Sequence, residues 1–364
     1  MPPFTVTNDL RYTLAMPTPL SRRTLLASTL TLPLAAQTAA PRREPLRIVS
    51  LTPFDPDEVK QLQAASAVPL EIEVVKRAEL RAKLPETEVL YGDVPGKELD
   101  FAPKLKWIQT GAAGVEWMDE EFRKSPVPVT NMARVFAPGI AETGMGLLLA
   151  LTRRIGTDYA RQTMRREWKT IGTVRSADHI ELAGRTMAVI GLGGIGYEVA
   201  RRAHFGFDMR VIATDARPMP RPHFVAELRD PSWFPEIVKQ ADVVVAAAPH
   251  TPQTNRMFNE PVFRSMKKTA YFIALSRGGL IDDMALVRAL KEGWIAGAGL
   301  DVFPQEPIPS NHPIWDCQNV VITPHTSGWG EERQRRLVAF FAENIRRYTR
   351  ALPLLNVVDK QAGY

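Results

Sequence analysis

Short apolar runs punctuate this chain at regular intervals, and between them apolar residues recur at helical spacing. In the first part, residues 46–51, 71–75, 86–91, 105–109 and 128–131 read as strands, with a helix over 55–66 whose first turn is acidic. A long apolar helix over 141–155 reads as the crossover into a second part, and Gly144 and Gly146 in it predict close helix packing. Residues 161–182 read as an extended arm. Strands then recur at 186–190, 211–215, 242–246, 271–275, 298–302 and 320–323, about six with helices between most of them. Strands alternating with helices make a parallel sheet, here in the doubly wound pattern. The last helix, 331–350, is charged and amphipathic and is expected to pack back on the first part. There is no internal repeat.

One stretch organises the rest. The apolar run 186–190 leads into Gly191-Leu192-Gly193-Gly194-Ile195-Gly196, and a helix follows through Phe205. Gly191, Gly193 and Gly196 have the G-x-G-x-x-G spacing. The first allows the turn out of the strand, the second lets backbone approach a pyrophosphate, and the third lets the helix pack on the sheet. The helix N-terminal amides then face the anion. Asp215 ends the next strand, where it accepts hydrogen bonds from the adenosine ribose, which favours NAD over its 2′-phosphorylated form.

Composition narrows the class without naming a reaction. A 364-residue chain with 45% hydrophobic and 24% charged residues suits a soluble enzyme of two domains. The formal net charge of +6 gives a modest field for anionic substrates. Basic pairs such as Arg153-Arg154, Arg165-Arg166 and Arg335-Arg336 lie on helical patterns without interleaved aromatic residues, so they read as solvated faces and not as a nucleic-acid footprint. A single cysteine, Cys317, excludes an internal disulfide and a multi-cysteine metal site, and its apolar surroundings read as packing. No metal is expected. Residues 1–45 differ from the rest. Arg22-Arg23 precedes a moderately apolar run and then small residues before Pro41, the layout of a twin-arginine export signal. That run is too short and too rich in Thr and Ser to span a bilayer. Export to the periplasm is the expectation, with a basic extension on a cytoplasmic enzyme as the alternative. Met16 would give a more typical short leader than Met1.

Ligands of open α/β sheets gather at the carboxyl ends of the strands. Arg277, Glu306 and His325 each follow such an end, and the glycine-rich loop 110–115 follows another. Taken singly, each has an ordinary structural reading as a turn or loop residue. Together they mark a site.

The motifs around these residues resemble the D-2-hydroxyacid dehydrogenase family. Gly191 to Gly196 match its glycine loop, residues 275–282 around Arg277 its arginine motif, 301–307 around Glu306 its glutamate motif, and 323–328 around His325 its histidine motif. The resemblance runs from about Leu46 to the end; Thr143, where the family often has His or Tyr, departs from it. It implies two doubly wound domains, a Rossmann NAD-binding domain at 145–330 inserted in a flavodoxin-like substrate domain at 46–144 and 331–364. It implies that His325 exchanges a proton with the keto oxygen, that Glu306 stabilises the charged imidazole, and that Arg277 clamps the substrate carboxylate. Ala113 and Gly114 would hold that carboxylate through their amides. Gly193, Gly194 and Ile195 would meet the pyrophosphate, Pro249 and Thr254 would line the adenosine pocket, and Asp301 and Ser327 would orient the nicotinamide. Arg134, Phe136 and Trp329 are candidate pocket walls. A homodimer through the crossover helix and arm is implied in the same way.

Glu306 sets the chain apart from formate dehydrogenases, which carry Gln there, and no regulatory domain is expected after the last helix as in long phosphoglycerate dehydrogenases. Glyoxylate or hydroxypyruvate is the expected substrate, ahead of a bulkier 2-keto acid. The alternative is a transcriptional-corepressor-like protein, which shares the triad and senses NAD without physiological turnover. An export signal does not fit that role.

Overall fold

The computed structural model describes residues 44–168 and 179–364. The leader motif, and residues 169–178 of the expected arm, lie outside these. The chain opens with β1 (Leu46–Ser50), α1 (Pro56–Ala65), β2 (Leu70–Val74), α2 (Leu80–Lys83), β3 (Val89–Tyr91), β4 (Trp107–Gln109), α3 (Glu120–Lys124) and β5 (Val129–Thr130). Asp55 starts α1 with a capping box: its carboxylate accepts from the Asp57 and Glu58 amides, while Glu58 accepts from the Asp55 amide. The five strands form one parallel sheet in the order β2-β1-β3-β4-β5, the flavodoxin-like order.

Side chains alternate across this sheet as strand geometry requires. Val49, Leu90, Ile108 and Val129 face a core closed by α2 and α3. Leu46, Ile48, Val89, Tyr91 and Trp107 face the other side, which is closed by the last helix. That helix, α10 (Arg333–Thr349), seats Phe341 with its ring 4.7 Å from Tyr91 and 5.7 Å from Trp107. The expected return of the C-terminal helix to the first part is therefore observed.

Between them lie α4 (Ala137–Thr152), a π-helical turn (Ile155–Tyr159), α5 (Ala160–Met164), β6 (Thr186–Ile190), α6 (Gly194–Phe207), β7 (Arg210–Thr214), β8 (Glu227–Arg229), α7 (Phe234–Gln240), β9 (Val243–Ala246), α8 (Glu260–Ser265), β10 (Tyr271–Ala274), α9 (Asp283–Lys291), β11 (Gly297–Leu300) and β12 (Val320–Ile322). The seven strands form a second parallel sheet, ordered β12-β11-β10-β9-β6-β7-β8. This is the Rossmann order with one strand added. Both faces are covered, by α4 and α6 on one side and by α7, α8 and α9 on the other, so the central strands are apolar throughout.

Three sequence expectations change here. β8 makes a seventh strand where about six were expected; its Glu-Leu-Arg sequence at the sheet edge carries no apolar run. The arm begins as helix, since α5 covers residues 160–164. α4 starts at Ala137, before the expected 141, because Pro138 falls in its first turn, where a missing N–H does no harm. Within α4, Gly144 is pressed against the Leu275 side chain, whereas Gly146 has open space where a Cβ would go. Only the first needs to be glycine for packing. Cys317 is buried in the second core, and burial pushes its thiol up, as expected of a packing residue.

Candidate active site

β6 pairs with β7 on one side and β9 on the other, so the chain leaves this point in opposite directions and opens a crevice at the strand ends. The glycine turn sits in it. Gly191 has φ +93, and a Cβ there would come within 2.6 Å of the Ala248 backbone. A Cβ on Gly196 would overlap the Gly191 carbonyl oxygen and lie 2.8 Å from the Val189 side chain, so α6 rests directly on its strand. Over Gly193 the space is open. No side chain caps α6, which leaves the amides of Gly194 and Ile195 at a positive helix end. The Asp215 carboxylate accepts from the Leu192 and Arg217 amides, each at 2.8 Å, and thereby ties the end of β7 to the glycine turn. Thr254 donates its hydroxyl to the Pro249 carbonyl at 2.7 Å, so these two residues form one turn beyond β9. The arrangement fits a dinucleotide: open backbone at the pyrophosphate, a helix dipole behind it, and a carboxylate at the next strand end.

The three sequence-nominated polar residues are linked through β10, β11 and β12. His325 and Glu306 share a hydrogen bond, Nδ1 to Oε2, of 2.7 Å. Their side chains are 45% and 37% exposed, so the pair is open to a ligand. The other Glu306 oxygen accepts from the Phe303 amide at 2.8 Å. A Cβ on Gly278 would overlap the Phe303 carbonyl, so the turn after Arg277 packs directly on the loop that carries Glu306. Buried Asp301 holds the histidine loop from below. It accepts from the Thr323 hydroxyl (2.7 Å), the Thr326 and Ser327 amides, and the Ser327 hydroxyl. Asp301 and Ser327 therefore bond each other, and both are buried at the site.

The glycine-rich loop after β4 meets Arg277 from the other sheet. A Cβ on Gly114 would overlap Arg277 Nη2. The Ala112 and Ala113 carbonyls turn away to accept from the Met132 amide (2.9 Å) and the Asn131 side chain (2.8 Å). Among the described residues the Ala113 and Gly114 amides have no acceptor. Arg277 donates from Nη1 to the Ser276 carbonyl at 2.8 Å and from Nε to Glu116 Oε1 at 2.6 Å. Burial alone would raise the Glu116 carboxyl. The Arg277 charge and hydrogen bond outweigh it and hold the group below the usual carboxylate range, with His250 acting in the same direction.

Four of these residues were not assigned such places from the sequence. Glu116 directly follows the glycine-rich loop, and that proximity was its only signal. Asn131 ends a short strand and fastens the loop. His250 packs its ring against Gly279 of the arginine turn. Arg134, nominated as a pocket wall, has φ +75 and lays its backbone and side chain against Gly194, over the start of α6. Phe136 lies near Gly328 of the histidine loop, and Trp329 is largely exposed. Among the described residues no group of three or more His, Cys, Asp or Glu is placed to hold a metal, and no helix is long and apolar enough to cross a membrane.

Comparison with known proteins agrees with this fold. The family model described as "D-isomer specific 2-hydroxyacid dehydrogenase, NAD binding domain" matches residues 145–327. A glyoxylate reductase of Korarchaeum cryptofilum is 35% identical over 276 residues, covering 75% of this chain and 82% of that one. A glyoxylate reductase of Thermofilum pendens is 36% identical over 258 residues, 71% and 76% of the two chains. The crystal structure of a D-isomer specific 2-hydroxyacid dehydrogenase from Xanthobacter autotrophicus Py2, in complex with NADPH and MES, superposes with a TM-score of 0.74 at 26% identity, over 88% of this chain and all of that one.

Proposed function

The chain belongs to the D-isomer-specific 2-hydroxyacid dehydrogenase family, an oxidoreductase acting on CH–OH groups with a nicotinamide cofactor, and on that premise we propose that it reduces a small 2-keto acid such as glyoxylate or hydroxypyruvate. The observation that carries this reading is the 2.7 Å His325–Glu306 pair, open to a ligand and joined through the Phe303 loop to the turn after Arg277. A nicotinamide cofactor bound in the crevice would supply the hydride for the carbonyl carbon. With Nδ1–H donating to Glu306, His325 keeps Nε2 for the proton that the reduced carbonyl oxygen takes up, and the same atom accepts it in the reverse direction. Glu306, accepting at Nδ1, holds the ring in one orientation and sets a negative charge beside it. Asp301, by anchoring residues 323–327, keeps the imidazole where it must be, and with Ser327 would orient the nicotinamide.

The substrate carboxylate is held from two sides. Arg277 brings a planar guanidinium, whose paired N–H groups match a carboxylate as a lysine ammonium does not. The Ala113 and Gly114 amides face it from the other sheet. At the far end of the crevice Asp215 would receive the adenosine ribose, and its charge would favour NADH over NADPH.

The test is oxidation of NADH, and in parallel of NADPH, by purified protein with glyoxylate, hydroxypyruvate, pyruvate and phenylpyruvate. The expected outcome is turnover of the smaller acids with NADH preferred, and a loss of about 10²–10⁴-fold in kcat for His325→Ala. A His325→Ala protein as active as the parent on every acid would sink the assignment. Equal use of NADPH would sink the cofactor preference alone.

A further inference from the structure

Glu116 lies in the seat expected for the substrate. Its Oε1 takes the Nε edge of Arg277 at 2.6 Å, and a Cβ on Gly114 would overlap its Oε2 and come 2.9 Å from its Cδ. A carboxylate is thus already lodged between the guanidinium and the glycine turn, the two groups that reach the site from opposite sheets. Arg277 has few donors left over. Nη1 is bonded to the Ser276 carbonyl, and Nη2 is packed on Gly114. A side-on clamp needs Nε and Nη2 together, and Glu116 occupies that edge. The Glu116 side chain is 55% exposed, and it is held there by this ion pair and by a hydrogen bond from its own amide.

We propose that Glu116 is an internal competitor for the carboxylate seat, a side chain that must leave Arg277 before a 2-keto acid can bind, and so sets the affinity of the enzyme for its substrate. The proposal rests on the reading of Arg277 and the 113–114 turn as that seat. A half-exposed ion pair contributes little net free energy, which makes the exchange of one carboxylate for another close to balanced and easily tipped by substrate. Glu116 touches neither the carbonyl that reacts nor the His325–Glu306 pair, so its effect belongs in binding and not in the proton step.

The experiment compares the parent with Glu116→Gln, which keeps shape and removes charge. Oxamate, a non-reducible carboxylate with the shape of a small 2-keto acid, is titrated calorimetrically into the protein with NADH bound, and kcat and KM for glyoxylate are measured beside it. The expected result is oxamate binding tighter by about three- to tenfold, a KM lower by a similar factor, and kcat changed by less than about twofold. Weaker oxamate binding together with a lower kcat would mean that Glu116 aligns the guanidinium, and would overturn the proposal. Unchanged affinity would overturn it as well. Arg277→Lys separates the two levels. If it weakens oxamate while Glu116→Gln does nothing, only the competitor role fails. If oxamate binding is indifferent to Arg277→Lys, the seat itself is misassigned and both readings fall.

Discussion

His325 holds its backbone at φ +54, a region that residues with a Cβ enter at a cost of roughly 1–2 kcal/mol. Its loop is kept there by Asp301, whose buried carboxylate gathers two hydroxyls and two amides. The imidazole is therefore aimed by a group that never needs to touch substrate, while Glu306 fixes the ring from the side. The role proposed for Glu306 rests on its charge more than on its shape. Glu306→Gln retains an acceptor for the imidazole N–H but loses the negative charge beside the ring. The expected result is a kcat lower by about ten- to 10³-fold with KM changed little, read from steady-state kinetics at saturating NADH. An unaltered kcat would show that Glu306 only orients the ring.

At the scale of elements, α6 and its strand are the best test of the glycine argument. Gly196 has no room for a Cβ between the Gly191 carbonyl and Val189, whereas Gly206 in the same helix has nothing within 4 Å. Gly196→Ala should push α6 off the sheet, destabilise the protein by about 1–3 kcal/mol in urea unfolding and abolish NADH binding in a fluorescence titration. Gly206→Ala should leave binding intact and raise stability by about 0.5–1 kcal/mol, because alanine restricts the unfolded chain. If both variants bind NADH equally, close packing of α6 is not what the glycine provides. This much was legible beforehand, since a glycine turn has a local sequence signature. β8 was not: a three-residue edge strand is set by its neighbour β7 and not by any pattern of its own. Gly146 looked like a second packing glycine because spacing along α4 does not reveal which face meets a neighbour.

For the molecule as a whole, the C-terminal helix closes the first sheet through a buried polar network as well as through Phe341. Fully buried Asn344 donates to the Gln109 side chain at 3.1 Å and to the Leu355 carbonyl at 3.2 Å, and accepts from the Leu355 amide at 2.8 Å. Gln109 in turn accepts from the Thr130 hydroxyl, which accepts from the Trp107 indole N–H. Every member is satisfied, so removing one leaves others buried and unpaired. Asn344→Leu is expected to lower stability by about 2–4 kcal/mol in denaturant unfolding while kcat stays near the parent value. A change under about 0.5 kcal/mol would mean the network is incidental to stability.

The boundary between what sequence and tertiary structure each decided follows from contact range. The alternation of strands and helices, the glycine turn, Asp215 at the next strand end and the loops bearing Arg277, Glu306 and His325 were all readable, because each rests on a local pattern within a few residues. So was the return of the last helix, from its amphipathic face. The occupant of Arg277 was not readable: Glu116 is 161 residues away in sequence, and only the facing of two separate sheets brings them together. The same holds for Asn344 and Gln109, 235 residues apart. Which strand ends share a crevice, and which carboxylate sits on which guanidinium, are consequences of packing two cores against each other, and no period along the chain encodes them.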